Sequence, residues 1–365
     1  MKKEKGEKKK INVFSLILKI IRTIILIIII LIPLSLGAII YLNAPVHEGE
    51  LPLLSETDTI RRGEDGSFLV DVRRGETSQS VGLRLERAGL IKSRYFWNVI
   101  CRISSEPVKA GTYRLSLPAN PLYIFRTLVS GVEVTYKVTI PEGVTLNKTA
   151  LIFEEAGICA SGDFLAAAHN SAILNKYGIP NDSMEGYLFP DTYLFPASYP
   201  ADQVVMKMAD NFFHQLENIN PLIRAMTIDE INNIVILASI IEREYRAADE
   251  APLMAGVFLN RLRINMALQS CATVVYIITE IQRKPHPSVL YYSDLEIRDP
   301  YNTYIYPGLP PGPISAPGVV ALSAVINPVR TDYLYFRLTD PANGRHYFSR
   351  TYDDHIRAGE LLIKP

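Results

Sequence analysis

Twenty consecutive residues without a charge, Thr23 to Leu42, constrain this chain more than any other stretch. The run contains Ile24, Ile25 and Leu26, then Ile27, Ile28, Ile29 and Ile30 in unbroken succession. Coiled as a helix, twenty residues reach about 30 Å, the thickness of a bilayer's hydrocarbon core. Pro33 and Gly37 are tolerable in such a helix. Lys2, Lys3, Lys5, Lys8, Lys9, Lys10, Lys19 and Arg22 precede the run, against Glu4 and Glu7. Positive charge on that side predicts a cytoplasmic basic tail over residues 1–22, a transmembrane helix over 23–42 and everything later outside. The expected location is the cell (inner) membrane, crossed once. A cleaved signal peptide ending near Ser35-Leu36-Gly37 competes, but the run is long for a signal sequence.

The rest of the 365 residues reads as globular, since 48% of the chain is hydrophobic and a core of useful size follows from that. The formal net charge is zero, which argues for no nucleic-acid partner. Cys101, Cys159 and Cys271 are widely spaced, and the six histidines form no HxxxH or HExxH pattern, so neither a disulfide framework nor a metal site is expected. Residues 43–65 read as a linker. Residues 66–131 read as a small α+β unit, with Phe68, Val70 and Val72 on one strand face and helices over 78–88, 95–103 and 121–129. It is either a packing unit or a glycan-binding one.

A larger α+β domain is expected over 132–365. A strand over 132–140 would place Val134, Tyr136, Val138 and Ile140 on one face, and one helical stretch would cover 163–174. The aromatic-dense segment 184–193 contains Gly186 and Pro190, which disfavour a regular helix. Exposed rings there would suit stacking on sugars, although such clusters also fill cores. A helix capped by Asp249 follows, then a loop over 301–318 too rich in Pro and Gly for regular structure, of a length that usually serves function. A hairpin around Asn343-Gly344 closes the pattern.

The chemistry is expected near Leu237–Tyr245. Thr227 and Glu230 have capping-box spacing, and the apolar residues that follow predict a buried helix. It would carry Glu242 and Glu244, which lie roughly 200° apart around a helix axis and so cannot share a face. Glu244 continues the row Leu237, Ile240 and Ile241, which would hold it against apolar surface. Desolvation raises a carboxyl pKa, as a general acid near neutral pH requires. The plain alternative makes both glutamates solvated residues at a fraying helix end.

Several motifs in order resemble one family. They are Glu185-Gly186-Tyr187-Leu188-Phe189-Pro190-Asp191-Thr192-Tyr193, Ala238-Ser239-Ile240-Ile241-Glu242-Arg243-Glu244, Phe258-Leu259-Asn260-Arg261-Leu262, Tyr301-Asn302-Thr303-Tyr304 and Gly308-Leu309-Pro310-Pro311-Gly312-Pro313-Ile314. With Lys109–Arg114 and Pro141-Glu142-Gly143, they resemble the YceG-like (MltG) endolytic murein transglycosylases over about residues 66–357. The resemblance implies a LysM-like subdomain followed by a mixed α/β lytic-transglycosylase domain, a non-hydrolytic lyase. Glu244 aligns with the family's catalytic glutamate. Glu185, Tyr187, Asp191, Glu242, Gln269, Ser270, Asn302, Thr303 and Tyr304, within the matching motifs, are the candidates for holding substrate. Cys271 and Ala272 stand where the family usually has Asp and Pro, which puts substrate handling at that point in question.

The implied reaction cleaves the bond between N-acetylmuramic acid and N-acetylglucosamine in peptidoglycan strands and leaves a 1,6-anhydro end, with no cofactor. It could terminate strand elongation beside wall-synthesis glycosyltransferases. Two other readings stay open: a muramidase in which Glu185 or Asp191 activates water, and a non-catalytic glycan-binding scaffold.

Overall fold

The computed structural model describes residues 13–47, 60–62, 66–197 and 199–359. The lysine-rich start of the chain, most of the expected linker and the last six residues lie outside them. The described residues form two units, divided between Val134 and Thr135.

The first unit begins with α1 (Val13–Leu42), long and apolar enough to cross a membrane. The helix starts ten residues before the predicted span, because nothing in Val13–Arg22 breaks a helix and long cationic side chains can reach from its end to water. A three-stranded antiparallel sheet follows in the order β1 (Ile60–Arg62), β2 (Phe68–Val72), β3 (Gly111–Leu115). Phe68, Val70 and Val72 share the buried face, as their alternation predicts. Between strands lie α2 (Ser78–Arg87) and α3 (Arg94–Ser104); α4 (Pro121–Ser130) follows β3. Each begins at a side-chain cap: Thr77, Ser93 and Asn120 accept from backbone N–H groups at 3.2, 3.3 and 2.7 Å. Trp97 is fully buried at the centre, donates to the Ser78 carbonyl at 2.8 Å and meets Phe125 edge-on.

The second unit opens with a two-stranded antiparallel ribbon, β4 (Thr135–Thr139) with β5 (Thr192–Pro196). The strand is shorter than predicted and its alternation is poor: Val138 is buried but Tyr136 is exposed. Between the strands come α5 (Leu146–Glu155), α6 (Ser161–Ala168) and α7 (Ser171–Tyr177). The single helix expected over 163–174 is two, because Asn170 leaves the helical path and caps α7 by accepting from Ala172 N–H at 2.8 Å. After α8 (Ala201–Ile219) comes α9 (Ile228–Ile241), with both bonds of the Thr227–Glu230 capping box in place. Then follow α10 (Ala251–Arg263), α11 (Cys271–Tyr276) running into a π-turn, α12 (Tyr292–Leu295), α13 (Val319–Ile326), the hairpin β6 (Tyr335–Asp340) and β7 (Arg345–Ser349), and α14 (Tyr352–Ala358). Asp249 does not cap α10; it forms a forked pair with Arg345 of β7 at 2.7 and 2.6 Å.

Helix α9 is the axis of this core and packs against α10 and α13. Val235 to Ile241 are all buried, so the helix has no solvent face in its second half. Its one polar residue there, Ser239, is used for stitching. The Ser239 hydroxyl donates to the Ile236 carbonyl and accepts from Ile314 N–H at 3.0 Å, while Ser315 donates to the Ser239 carbonyl at 3.0 Å. The Pro- and Gly-rich loop 301–318 is thereby fixed along the helix. Gly186, at φ +82°, brings a second loop against it: a Cβ there would collide with Pro313 and meet Val235 at 3.1 Å.

Candidate active site

Helix α9 ends sooner than its sequence suggests. Ile241 is its last residue, Glu242 is the C-cap, and Glu244 lies in the turn that follows. The argument that placed Glu244 on an apolar helical row therefore fails in its geometry. Glu244 is drawn away from solvent by a different route, because the turn carries it against Ser270 at the start of α11.

The Ser270 hydroxyl donates to Glu244 Oε1. Ser270 is the N-cap residue of α11, yet its side chain makes no capping bond; the hydroxyl that would cap the helix serves the carboxyl instead. Its own N–H donates to Thr303 Oγ1 at 3.0 Å, and Gln269 N–H donates to the Thr303 carbonyl at 3.0 Å. Thr303 and Thr273 are also bonded, hydroxyl to hydroxyl, at 3.0 Å. Gln269 takes a left-handed conformation, φ +53°, and its side chain is exposed. Burial pushes the Glu244 carboxyl above its ordinary range. The Ser270 bond and the charges of Arg243 and Arg261 oppose that rise without cancelling it.

Arg261 is buried, donates to the Leu268 and Leu334 carbonyls at 2.6 Å each, and stacks on the Tyr335 ring. It is thus a fixed cation that Glu244 senses. Cys271 is exposed, and its sulfur lies 3.0 Å from the Tyr304 hydroxyl. Glu244, Gln269, Ser270, Thr303 and Tyr304 are accordingly brought together.

Two further glutamates are withdrawn from solvent, Glu185 nearly fully and Glu242 in part. Glu242 accepts from Gly318 N–H at 2.8 Å and from the Tyr245 hydroxyl at 3.1 Å. Burial pushes it to about 7, and the nearby Glu142 adds to the rise. Glu185 is 6% exposed, and both its oxygens accept from Leu146 N–H, at 3.1 and 3.0 Å, at the start of α5. Burial raises it to about 8, with Glu280 contributing. A cavity of about 300 Å3 opens beside it, lined in part by Asp182, Tyr301 and Pro313.

The remaining candidates are committed elsewhere. Tyr187 has no exposed surface; it donates to Asn232 Oδ1 at 2.7 Å and packs on Phe212. Phe189 and Tyr193 are buried as well, so the aromatic segment is core and offers no stacking platform. Asp191 accepts from Asn211 at 3.1 Å beside the ribbon. Asn302 is fully buried, donates to the Leu295 and Ile297 carbonyls at 2.9 and 2.8 Å, and accepts from Tyr304 N–H at 3.0 Å.

Sequence reasoning missed Glu280 and its partner Asn147, 2.5 Å apart and separated by 133 residues; no local signal joins them. It also gave Arg243 no role in the site beyond its place in a motif, whereas its guanidinium donates to the Gly143 carbonyl at 3.2 Å and its charge acts on both Glu185 and Glu244.

Residues 70–360 match the model of the YceG-like family. Two relatives from Streptococcus pneumoniae strains, each named endolytic murein transglycosylase, are 28% identical over 317 residues. That alignment covers 79% of this chain and 57% of theirs, so the chain spans little more than half the length of those relatives. A Bacillus subtilis relative of the same name is 27% identical over 80% of this chain and 84% of its own. The crystal structure of a yceG-like protein from Listeria monocytogenes is 29% identical, with a TM-score of 0.54 over 80% of this chain and 98% of that one. With a match over most of its length, the chain belongs to the YceG-like family.

Proposed function

We propose that the protein is a membrane-anchored endolytic lytic transglycosylase that cleaves peptidoglycan glycan strands, with Glu244 as its acid and base. The observation that carries this reading is the Glu244–Ser270 pair: a carboxyl whose pKa burial raises, oriented by a hydroxyl taken from a helix cap. Donation from Ser270 to one oxygen leaves the other to hold the acid proton. That proton goes to the glycosidic oxygen as its bond to C1 of N-acetylmuramic acid breaks. The carboxylate then takes the proton of the C6 hydroxyl while O6 bonds to C1, closing a 1,6-anhydro ring. The carboxyl ends as it began, and no water is consumed.

A hydrolase of the usual kind needs a second carboxylate as base or nucleophile. Glu185, raised to about 8, is mostly protonated at neutral pH and is a poor base. Gln269 and Tyr304, beside Glu244, are the groups best placed to meet the sugar. Glu242, Asn302 and Thr303 act one step back by holding that frame. The names of the pneumococcal and Bacillus relatives support the substrate class. The small first unit, read as LysM-like, would position glycan outside the membrane, with α1 as a single span and the N-terminus in the cytoplasm. Wall-synthesis glycosyltransferases are the partners this arrangement suits.

The test is mass spectrometry of glycan strands incubated with the full chain in detergent. The expected product is lighter than a reducing-end fragment by one water. Glu244→Gln should keep the fold and lower cleavage by on the order of 100-fold or more. A reducing-end product would establish a hydrolase, and full activity in Glu244→Gln would remove the assignment.

A further inference from the structure

We propose that the first turns of α3 and α4 form a docking surface for an anionic lipid bilayer, so that the small unit seats on the membrane from which it emerges. The inference rests on α1 being a span. Three ties join the exit of α1 to these turns, all within one unit. Lys92, just before α3, sits with its ammonium 4.4 Å from the centroid of the Tyr41 ring. Asn43 Oδ1 accepts from Leu122 N–H in the first turn of α4 at 3.3 Å. Val46 and Ala119 exchange backbone bonds at 2.8 and 3.3 Å. Val46 lies four residues beyond Leu42, and four residues reach at most about 14 Å. The unit is therefore held close to the headgroups.

What it presents there suits that depth. Tyr95 is 69% exposed, Tyr123 42% and Leu122 37%, in the turns nearest the exit. Tyr95 also begins a row with Val99 and Ile103 at helical spacing, both exposed, so apolar surface continues along α3. Tyrosine favours the membrane–water boundary, where its ring is shielded and its hydroxyl is wet. Lys92 and Arg126 are exposed among these residues. Arg94 adds a third cation, partly offset by Glu86 at 3.8 Å. Aromatic and apolar side chains interleaved with cations match an interface of anionic phosphates over acyl chains.

The experiment reconstitutes the full chain in vesicles of phosphatidylcholine and phosphatidylglycerol carrying brominated lipids, which quench nearby tryptophan. Trp97, the native tryptophan, is buried and sets the baseline. Tyr95→Trp and Tyr123→Trp should each be quenched by bromine placed just below the headgroups. Lys92→Gln with Arg126→Gln should shift the docking equilibrium by about 30-fold, since each cation near an anionic surface is worth about fivefold, and the quenching should fall accordingly. Ile28→Trp, in the middle of α1, should be quenched by deep bromine. If Ile28→Trp is quenched and the two surface tryptophans are not, the docking surface is refuted while the span stands. Those side chains would then face a protein partner or water. If Ile28→Trp is not quenched, the span fails and the docking proposal falls with it.

Discussion

Replacing Glu185 with glutamine should stabilise the protein by an amount that grows with pH. The carboxyl is buried and its folded pKa is about 8, against a reference of 4.5. The sign follows from proton counting. Between those values the folded state holds a proton that the unfolded state has released, so stability is greatest below pH 4.5 and is lost as pH rises towards 8. Each pH unit in that window costs about 1.4 kcal/mol, about 5 kcal/mol across the whole of it. The glutamine side chain cannot ionise, while its carbonyl oxygen can still accept from Leu146 N–H; it forfeits one of two acceptors, roughly 1 kcal/mol. At pH 4.5 the variant should thus melt at or slightly below wild type, and at pH 8 about 4 kcal/mol above it. For a unit of this size that is on the order of 10 °C. Melting curves of the full chain in detergent, taken from pH 4.5 to 8.5, measure the difference directly. Two parallel lines of melting temperature against pH would refute the reasoning, because they would mean that Glu185 ionises as freely folded as unfolded.

Three further outcomes are expected. Ser270→Ala removes a bond that lowers the Glu244 pKa, so the basic limb of the pH–activity profile should move to higher pH; an unmoved limb would separate Ser270 from the acid. Glu242→Gln should leave cleavage within a few-fold of wild type, and its melting temperature should gain on wild type as pH rises from 4.5 through 7; loss of anhydro product with the fold intact would make Glu242 the acid. Asn302→Ala removes three buried hydrogen bonds, about 3 kcal/mol in all, so it should melt about 10 °C lower; an unchanged melt with weaker glycan binding would return Asn302 to the substrate.

The parts of this fold that were legible in the sequence are those decided locally. The Thr227–Glu230 cap and the alternation of β2 each depend on a few neighbouring residues. Where α9 stops does not. No Gly or Pro follows Ile241, and the helix gives way because Glu242 is held by Gly318 and Glu244 by Ser270, residues 76 and 26 positions away. Asp249 had the chemistry of a cap, but a forked bond to Arg345 outcompeted that role. The candidate site was legible as a set of motifs and illegible as a division of labour. Polar residues such as Asn302 and Thr303 look like ligands for a sugar until their partners are known. Tyr187 and Phe189 look like a stacking platform until they are found at the centre of a core.

The premature end of α9 has one more effect. A helix gathers partial negative charge at its carboxyl end, where the last carbonyls lack partners, and partial positive charge at its amino end. Glu242 and Glu244 stand at the negative end of α9, the position least hospitable to a second negative charge. Glu185 stands at the positive end of α5, where an anion is welcome. The field of the backbone therefore resists ionisation at the proposed acid and assists it at Glu185, before any side chain contributes. Such a field is fixed with the fold and falls off within about one turn, so it cannot be adjusted without moving the helix. Extending α9 by two turns would carry its negative end beyond Glu244 and make that residue a readier anion. The short helix and the raised pKa of Glu244 belong to one feature of this fold.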